Sequence, residues 1–216
     1  YNVSKLIENA EEKNAKLIED KWISSRINSL INYVTEELEN LQPHQATRAL
    51  QDFWLNDLSR RYIQVVRDRI SENDETVKYH LKNTYIELIK LCAPIIPFIT
   101  EKIWQELKAK KIVKEESVHL SEFPKADKKK IDKKLEEDFK KAFEIVEKGL
   151  AERDKAKIGL RWPLKSADVT ANFDLKEETK EIIKKQLNVK EIYFDKVEKL
   201  DTLSVELDTK LTPELE

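Results

Sequence analysis

The chain has 216 residues, 38% of them Asp, Glu, Lys or Arg, yet the formal net charge is only −2. That balance excludes an argument for nucleic-acid binding from total charge and leaves only local patches to carry one. The single cysteine excludes an internal disulfide and cannot build a metal site alone, and two glycines make tight turns rare and helix dominant.

In chain order, residues 1–18 read as polar and partly helical, with Val3, Leu6 and Ile7 apolar. Asp20 is expected to cap the next helix. There Ile23, Ile27, Leu30, Ile31, Val34, Leu38 and Leu41 recur at spacings of three and four, the mark of an amphipathic helix. Gln42-Pro43 breaks the pattern. Pro43 to Ser71 then runs without glycine or internal proline and predicts one long helix, since Pro43 suits its first turn. Its halves bury different sides: Ala46, Ala49, Leu50 and Phe53 upstream, and Leu55, Leu58, Tyr62, Ile63, Val66 and Ile70 downstream on nearly the opposite stripe. Contact from two sides, or a kink near Trp54, would account for this. Asn73 or Asp74 caps a third helix with Val77, Leu81, Tyr85, Leu88, Ile89 and Cys92 inward, and Pro94 ends or kinks it. Pro97 opens a fourth with Ile99, Ile103, Trp104 and Leu107 inward. The pattern predicts an antiparallel helix bundle.

Residues 108–132 read as irregular, including a solvated basic run, KADKKK. A fifth helix is expected from about Ile131 to Lys157, with Leu135, Phe139, Ala142, Phe143, Val146 and Leu150 inward and Gly159 at its end. After KIGLRWPLK the texture changes. Leu164–Asn172, Ile192–Val197 and Leu203–Leu207 read as strands and Leu175–Leu187 as a helix, a β-α-β-β unit. The fold class is therefore mainly α, a helix bundle over residues 1–160 followed by a small α/β subdomain over residues 161–216.

Chemistry is sparse. There is no Gly-rich phosphate loop, and His44, His80 and His119 lie far apart without a second ligand at metal spacing. Cys92 reads as a buried, inert thiol. No catalytic residues and no metal site are expected. Binding features remain. Five of the eight arginines lie between Arg48 and Arg69, and arginine holds phosphates and stacks on bases better than lysine does. Asn56, Arg60, Gln64, Arg67 and Ser71 form a polar stripe with no acid directly on it, whereas Asp57 precedes Arg61 at i,i+4 and reads as its ion-pair partner. Phe53 shares their side but reads as core. Residues 125–165 carry 14 Lys and Arg against 9 Asp and Glu, which a solvated helix face explains. Within them Lys157, Arg161 and Trp162 could clamp a backbone and stack a base, or else Trp162 simply packs.

The ordered series DKWISSRINSLI, RALQDFWLNDLSRRYIQVVRDR, APIIPFITEKIWQEL and SVHLSEFP, residues 20–124, resembles the anticodon-binding region of class Ia aminoacyl-tRNA synthetases, the isoleucine, valine and leucine group. KIGLRWPL and the ending DTKLTPELE look like the isoleucyl branch in its archaeal and eukaryotic form. The resemblance implies a piece of a longer, cytoplasmic and monomeric ligase that recognises the anticodon stem-loop of an isoleucine-accepting tRNA. The tRNA-binding residues carried forward are Asn56, Arg60, Gln64, Arg67, Lys157, Arg161 and Trp162. The HIGH and KMSKS signatures are absent, so this piece is expected to be non-catalytic and without a cofactor. ATP and Mg2+ are implied for the parent enzyme, whose remaining domains are expected partners. The alternatives are a valyl- or leucyl-type region, or a structural or protein-docking helical module. The absence of a signal peptide and of any apolar run of membrane length predicts an intracellular protein with no membrane partner.

Overall fold

The computed structural model describes residues 7, 15, 17–197 and 203–209. The helix expected within residues 1–18 and the ending DTKLTPELE beyond Thr209 lie outside the described residues. Contacts divide the chain into two compact units, Tyr1–Lys133 and Lys134–Glu216. The expected boundary at residue 160 groups the residues otherwise. The difference lies in the fifth helix, whose Ala142, Ile145 and Val146 share a core with the sheet.

The first unit begins with α1, Ile18–Glu39. Trp22, Ile23, Ile27, Leu30, Ile31 and Val34 repeat on one face and are all buried. Asp20 is not its cap. Leu17 holds that position, and Asp20 lies in the first turn, where a carboxylate favours the positive end of the helix dipole. Leu41, expected inward, is 85% exposed; with φ 57° it occupies the left-handed position that ends α1. The hydrogen bonds Gln42 N to Glu37 O (2.7 Å) and Leu41 N to Leu38 O (3.1 Å) close that end.

The stretch Pro43–Ser71 is helical but not uniform. It comprises α2 (Pro43–Asp52), a π-helical segment (Phe53–Tyr62), α3 (Ile63–Val65) and α4 (Arg67–Ser71). The wider i→i+5 turn starts beside Trp54 and rotates the buried face. This is why Ala46 and Leu50 are buried on one stripe and Leu58, Tyr62 and Val66 on another. A second break falls at Val66, φ −94° and ψ 9°. Leu55 stays exposed, as do Ile99 and Leu150, since each lies off the face its helix buries.

Helix α5, Glu75–Cys92, starts at Asp74, whose side chain accepts from Thr76 N at 2.7 Å, and ends before Pro94. Helix α6, Pro97–Ala109, starts with proline as expected and buries Trp104 and Leu107. Glu101 on α6 anchors the irregular segment behind it by accepting from Ser117 Oγ (2.8 Å) and Val118 N (3.0 Å). The KADKKK run is not merely solvated. Asn28 Oδ1 accepts from Asp127 N at 2.7 Å and Ser25 Oγ from Asp132 N at 2.8 Å. These bonds tie Asp127 within the run, and Asp132 just beyond it, to α1, whose Ser25 and Asn28 are buried, while the lysines of the run are exposed.

Buried charge joins the first unit's segments. Arg69 donates to Asp20 Oδ2 (2.7 Å), Glu19 Oε1 (2.8 Å) and Asp74 Oδ2 (2.9 Å), and Tyr62 Oη donates to Asp20 Oδ1 (2.8 Å). Burial, with Asp20 alongside, pushes the Tyr62 hydroxyl well above its ordinary pKa. Burial opposes the charge on Arg69, yet bonding to Asp20 and Asp74 prevails and raises its pKa.

In the second unit α7, Lys133–Lys155, is followed by β1 (Leu164–Ala171), α8 (Glu177–Leu187), β2 (Val189–Lys196) and β3 (Ser204–Leu207). The expected β-α-β-β order is present. The sheet order is β2-β1-β3, with β1 parallel to β2 and antiparallel to β3. Gly149 on α7 serves close packing, because a Cβ there would lie 2.6 Å from Leu187 Cδ2 on α8.

Two outcomes follow. Leu41→Gly relieves a left-handed leucine and sacrifices little burial, so it should stabilise the chain by about 0.5–1 kcal/mol. The urea midpoint should rise with the slope unchanged. His80 is buried with no hydrogen-bond partner at Nε2. Burial lowers its pKa from the ordinary 6.5, with Arg69 and Lys130 adding to that and Asp20 and Asp74 opposing it. The unfolded chain then takes up a proton that the folded one refuses. Stability should be full above about pH 6.5 and decline as pH falls below it. His80→Gln should flatten that decline in urea midpoints measured between about pH 7 and about pH 5.

Candidate nucleic-acid interface

Helix presentation separates the arginines of the central stretch by role. Asp57, 2% exposed, accepts from Arg26 Nη2 at 2.7 Å and from Arg61 Nη1 at 2.9 Å. Arg61 is thus the expected intrahelical partner, and Arg26 on α1 is a second that the sequence did not suggest. Arg69 belongs to the buried network. Arg60 and Arg67 differ, since both are exposed and, among the described residues, neither forms an ion pair. Their forks remain available to an external anion.

The stripe is only partly open. Asn56 Nδ2 donates to Asp52 Oδ1 at 2.6 Å, and Asn56 Oδ1 accepts from Arg60 Nη1 at 3.2 Å. An acid therefore lies one step upstream on the same line, and Asn56 orients Arg60 with both of its polar atoms engaged. Asn56 and Arg60 lie on the π-helical segment, Gln64 on α3, and Arg67 beyond the Val66 break on α4. Gln64 is exposed but has a partner of its own. Phe53 is 1% exposed and belongs to the core as expected, while half-buried Trp54 meets Tyr85 with ring centroids 5.8 Å apart.

The second candidate lies in the other unit. Lys157 and Arg161 are exposed, and Trp162 is 54% exposed, so the indole is partly packed and partly open to solvent. Lys157, with φ 57°, takes the left-handed position ending α7. Ile158 N bonds Arg153 O and Lys157 N bonds Asp154 O, both at 3.0 Å. Gly159, expected to end this helix, lies two residues further on. The residue that sequence reasoning missed is Arg153. It is 2% exposed and donates to the carbonyls of Leu187 (2.9 Å), Asn188 (2.9 Å), Trp162 (3.0 Å) and Gly159 (3.3 Å). In the sequence it is one charge in a charged helix. The available signal was its place at i+3 from Leu150 and i+4 from Gly149, at the edge of the apolar stripe.

Metal chemistry finds no centre here: among the described residues no three His, Cys, Asp or Glu side chains gather to hold an ion. Cys92 is buried, and burial pushes its thiol up to about 11, which keeps it protonated and unreactive. Among the described residues no helix is long and apolar enough to cross a membrane.

Residues 20–170 match the family described as the anticodon-binding domain of tRNA ligase, and the chain belongs to that family. Among its relatives, the isoleucine–tRNA ligase of Thermococcus kodakarensis is 39% identical over 190 residues, covering 84% of this chain and 18% of the relative. That of Methanocaldococcus jannaschii is 40% identical over 188 residues, covering 83% and 18%. That of Pyrococcus horikoshii is 37% identical over 208 residues, covering 89% and 19%. The chain spans less than one fifth of the length of these relatives.

Proposed function

We propose that this chain recognises the anticodon stem-loop of an isoleucine-accepting tRNA as the anticodon-binding part of an isoleucine–tRNA ligase. The parent enzyme, a cytoplasmic monomer, joins isoleucine to tRNA using ATP and Mg2+. Its remaining domains carry that chemistry, and this piece carries none. The observation that supports the reading most is the family match over residues 20–170, joined to isoleucine–tRNA ligases that align along most of the chain.

The recognition follows from RNA physics. Anticodon bases are unpaired and can be splayed, stacked on aromatic or guanidinium planes, and read on their edges. Phosphate contacts fix register and base contacts fix identity. Arg60 and Arg67, exposed and outside any ion pair among the described residues, suit the first task. Their helical supports suit it better than loops would. Lys157, Arg161 and Trp162 provide a second contact.

Replacing Arg60 and Arg67 together by alanine should weaken tRNA binding. It should also flatten the dependence of log K on log salt by roughly one unit or more, at about 0.7 per phosphate contact on single strands. Stability should stay within about 0.5 kcal/mol, because both side chains are exposed. Gel-shift titration at several salt concentrations checks this. Wild-type affinity and slope in the double variant would remove the stripe from the interface. A valine-accepting tRNA bound as tightly as the isoleucine one would overturn the assignment to the isoleucyl branch.

A further inference from the structure

We propose that Arg153 is a positioning residue for RNA recognition, holding residues 158–163 as a preformed loop that offers Trp162 to an unpaired base and Arg161 to the adjoining phosphate. This rests on the RNA-binding reading above. Arg153 lies in the last turn of α7 and is almost wholly buried, yet its four hydrogen bonds all end on backbone carbonyls. Among the described residues no carboxylate pairs with it. A guanidinium keeps its charge in such surroundings, and here its planar fork fixes two segments at once. Two acceptors, Leu187 O and Asn188 O, belong to the end of α8, where carbonyls lack helical partners. The other two, Gly159 O and Trp162 O, belong to the loop. Asn188 adds a bond from Nδ2 to Leu160 O at 2.8 Å, and Trp162 N closes a turn onto Gly159 O at 3.1 Å.

The loop backbone is therefore tied at residues 159, 160 and 162, and Ile158 packs against the core, while Leu160, Arg161 and Trp162 are exposed. Lys157 and Arg161 form no ion pair among the described residues, and Glu152 on the preceding turn is already paired with Lys155 at 2.7 Å. Asp154, also on that turn, is exposed and, among the described residues, forms an ion pair with neither cation. A large exposed indole on a tied backbone, next in sequence to the exposed Arg161 and five residues from the exposed Lys157, is a stacking platform with an electrostatic guide. Because the loop is held before RNA arrives, binding avoids the cost of ordering it.

The test is fluorescence anisotropy of the full chain with a labelled isoleucine-accepting tRNA transcript and with a blunt RNA duplex lacking unpaired bases. Trp162→Ala should weaken tRNA binding about tenfold, leave duplex binding unchanged and leave the unfolding midpoint in place, while Trp162→Phe should retain most of the affinity. Arg153→Lys keeps the charge but not the fork. It should cost at least as much affinity as Trp162→Ala, yet cost much less in a Trp162→Ala background, where only the placement of Arg161 is left to lose. Asn188→Gly, which suits the φ of 49° at that position, removes only the amide bond to Leu160 and should weaken tRNA binding in the same sense. It decides the matter if Arg153→Lys does not fold. Wild-type affinity in Trp162→Ala, with the Arg60 and Arg67 double variant still impaired, would refute the loop contact and leave the wider reading standing. Wild-type affinity in all of them would refute the loop contact and the stripe together, and no tRNA binding by the unaltered chain would remove the wider reading as well. Loss in Trp162→Ala alone, with folded Arg153→Lys and Asn188→Gly binding normally, would refute the role of Arg153.

Discussion

Arg69 is the residue on which the first unit's geometry depends. Its guanidinium meets carboxylates from two other places in the chain, Glu19 and Asp20 at the start of α1 and Asp74 at the start of α5. Asp20 has no solvent exposure. A charge so placed is tolerable only with its partners, and removing one would leave the others desolvated, at a cost of about 3–5 kcal/mol. Tyr62 adds its hydroxyl to the same carboxylate. The network is thus a three-way joint between helix ends, and its satisfaction fixes where α1, α5 and the end of Pro43–Ser71 must meet. His80 lies within its field without a hydrogen bond at Nε2.

That joint makes sense of the π-helical segment. Counting from Pro43, a uniform α-helix would keep one face toward the core throughout. Phe53–Tyr62 changes the phase, so that Tyr62 and Arg69 both turn toward Asp20 while Arg60 and Arg67 are left in water. The same change that closes the buried network therefore opens the cationic stripe. One helical stretch serves two surfaces because its hydrogen-bond spacing changes partway along.

Much of this was legible in the sequence. The apolar spacings, Pro43, Pro94 and Pro97 marked the helices, and alternation after Pro163 marked the strands. The shift in the buried stripe at Phe53 already announced a change in the helix near Trp54. Pairwise choices among charges were legible only where both partners lay on one helix, as with Asp57 and Arg61. Arg26 reaching Asp57 across thirty-one positions, Asp20 acting as a buried ligand instead of a cap, and Arg153 bonded to carbonyls all depend on tertiary proximity. In a chain so rich in Lys and Glu, each charge has several plausible local partners, and periodicity does not rank them. The candidate site was accordingly readable in its cations and not in what orients them. Asn56 reads as a free donor in sequence and is engaged by Asp52 and Arg60 in space.

Gly149 has a consequence for how this fold can change over time. The absent side chain on α7 is matched by the full leucine at position 187 on α8, whose methyl carbon would lie 2.6 Å from any added Cβ. Leu187 is itself without solvent exposure and has little free space to retreat into, since protein interiors are close-packed. The two positions share a single allotment of volume. A larger residue at 149 is accessible to a drifting lineage only after, or together with, a smaller one at 187. The order of those steps is constrained even though either final pair could fill the same space.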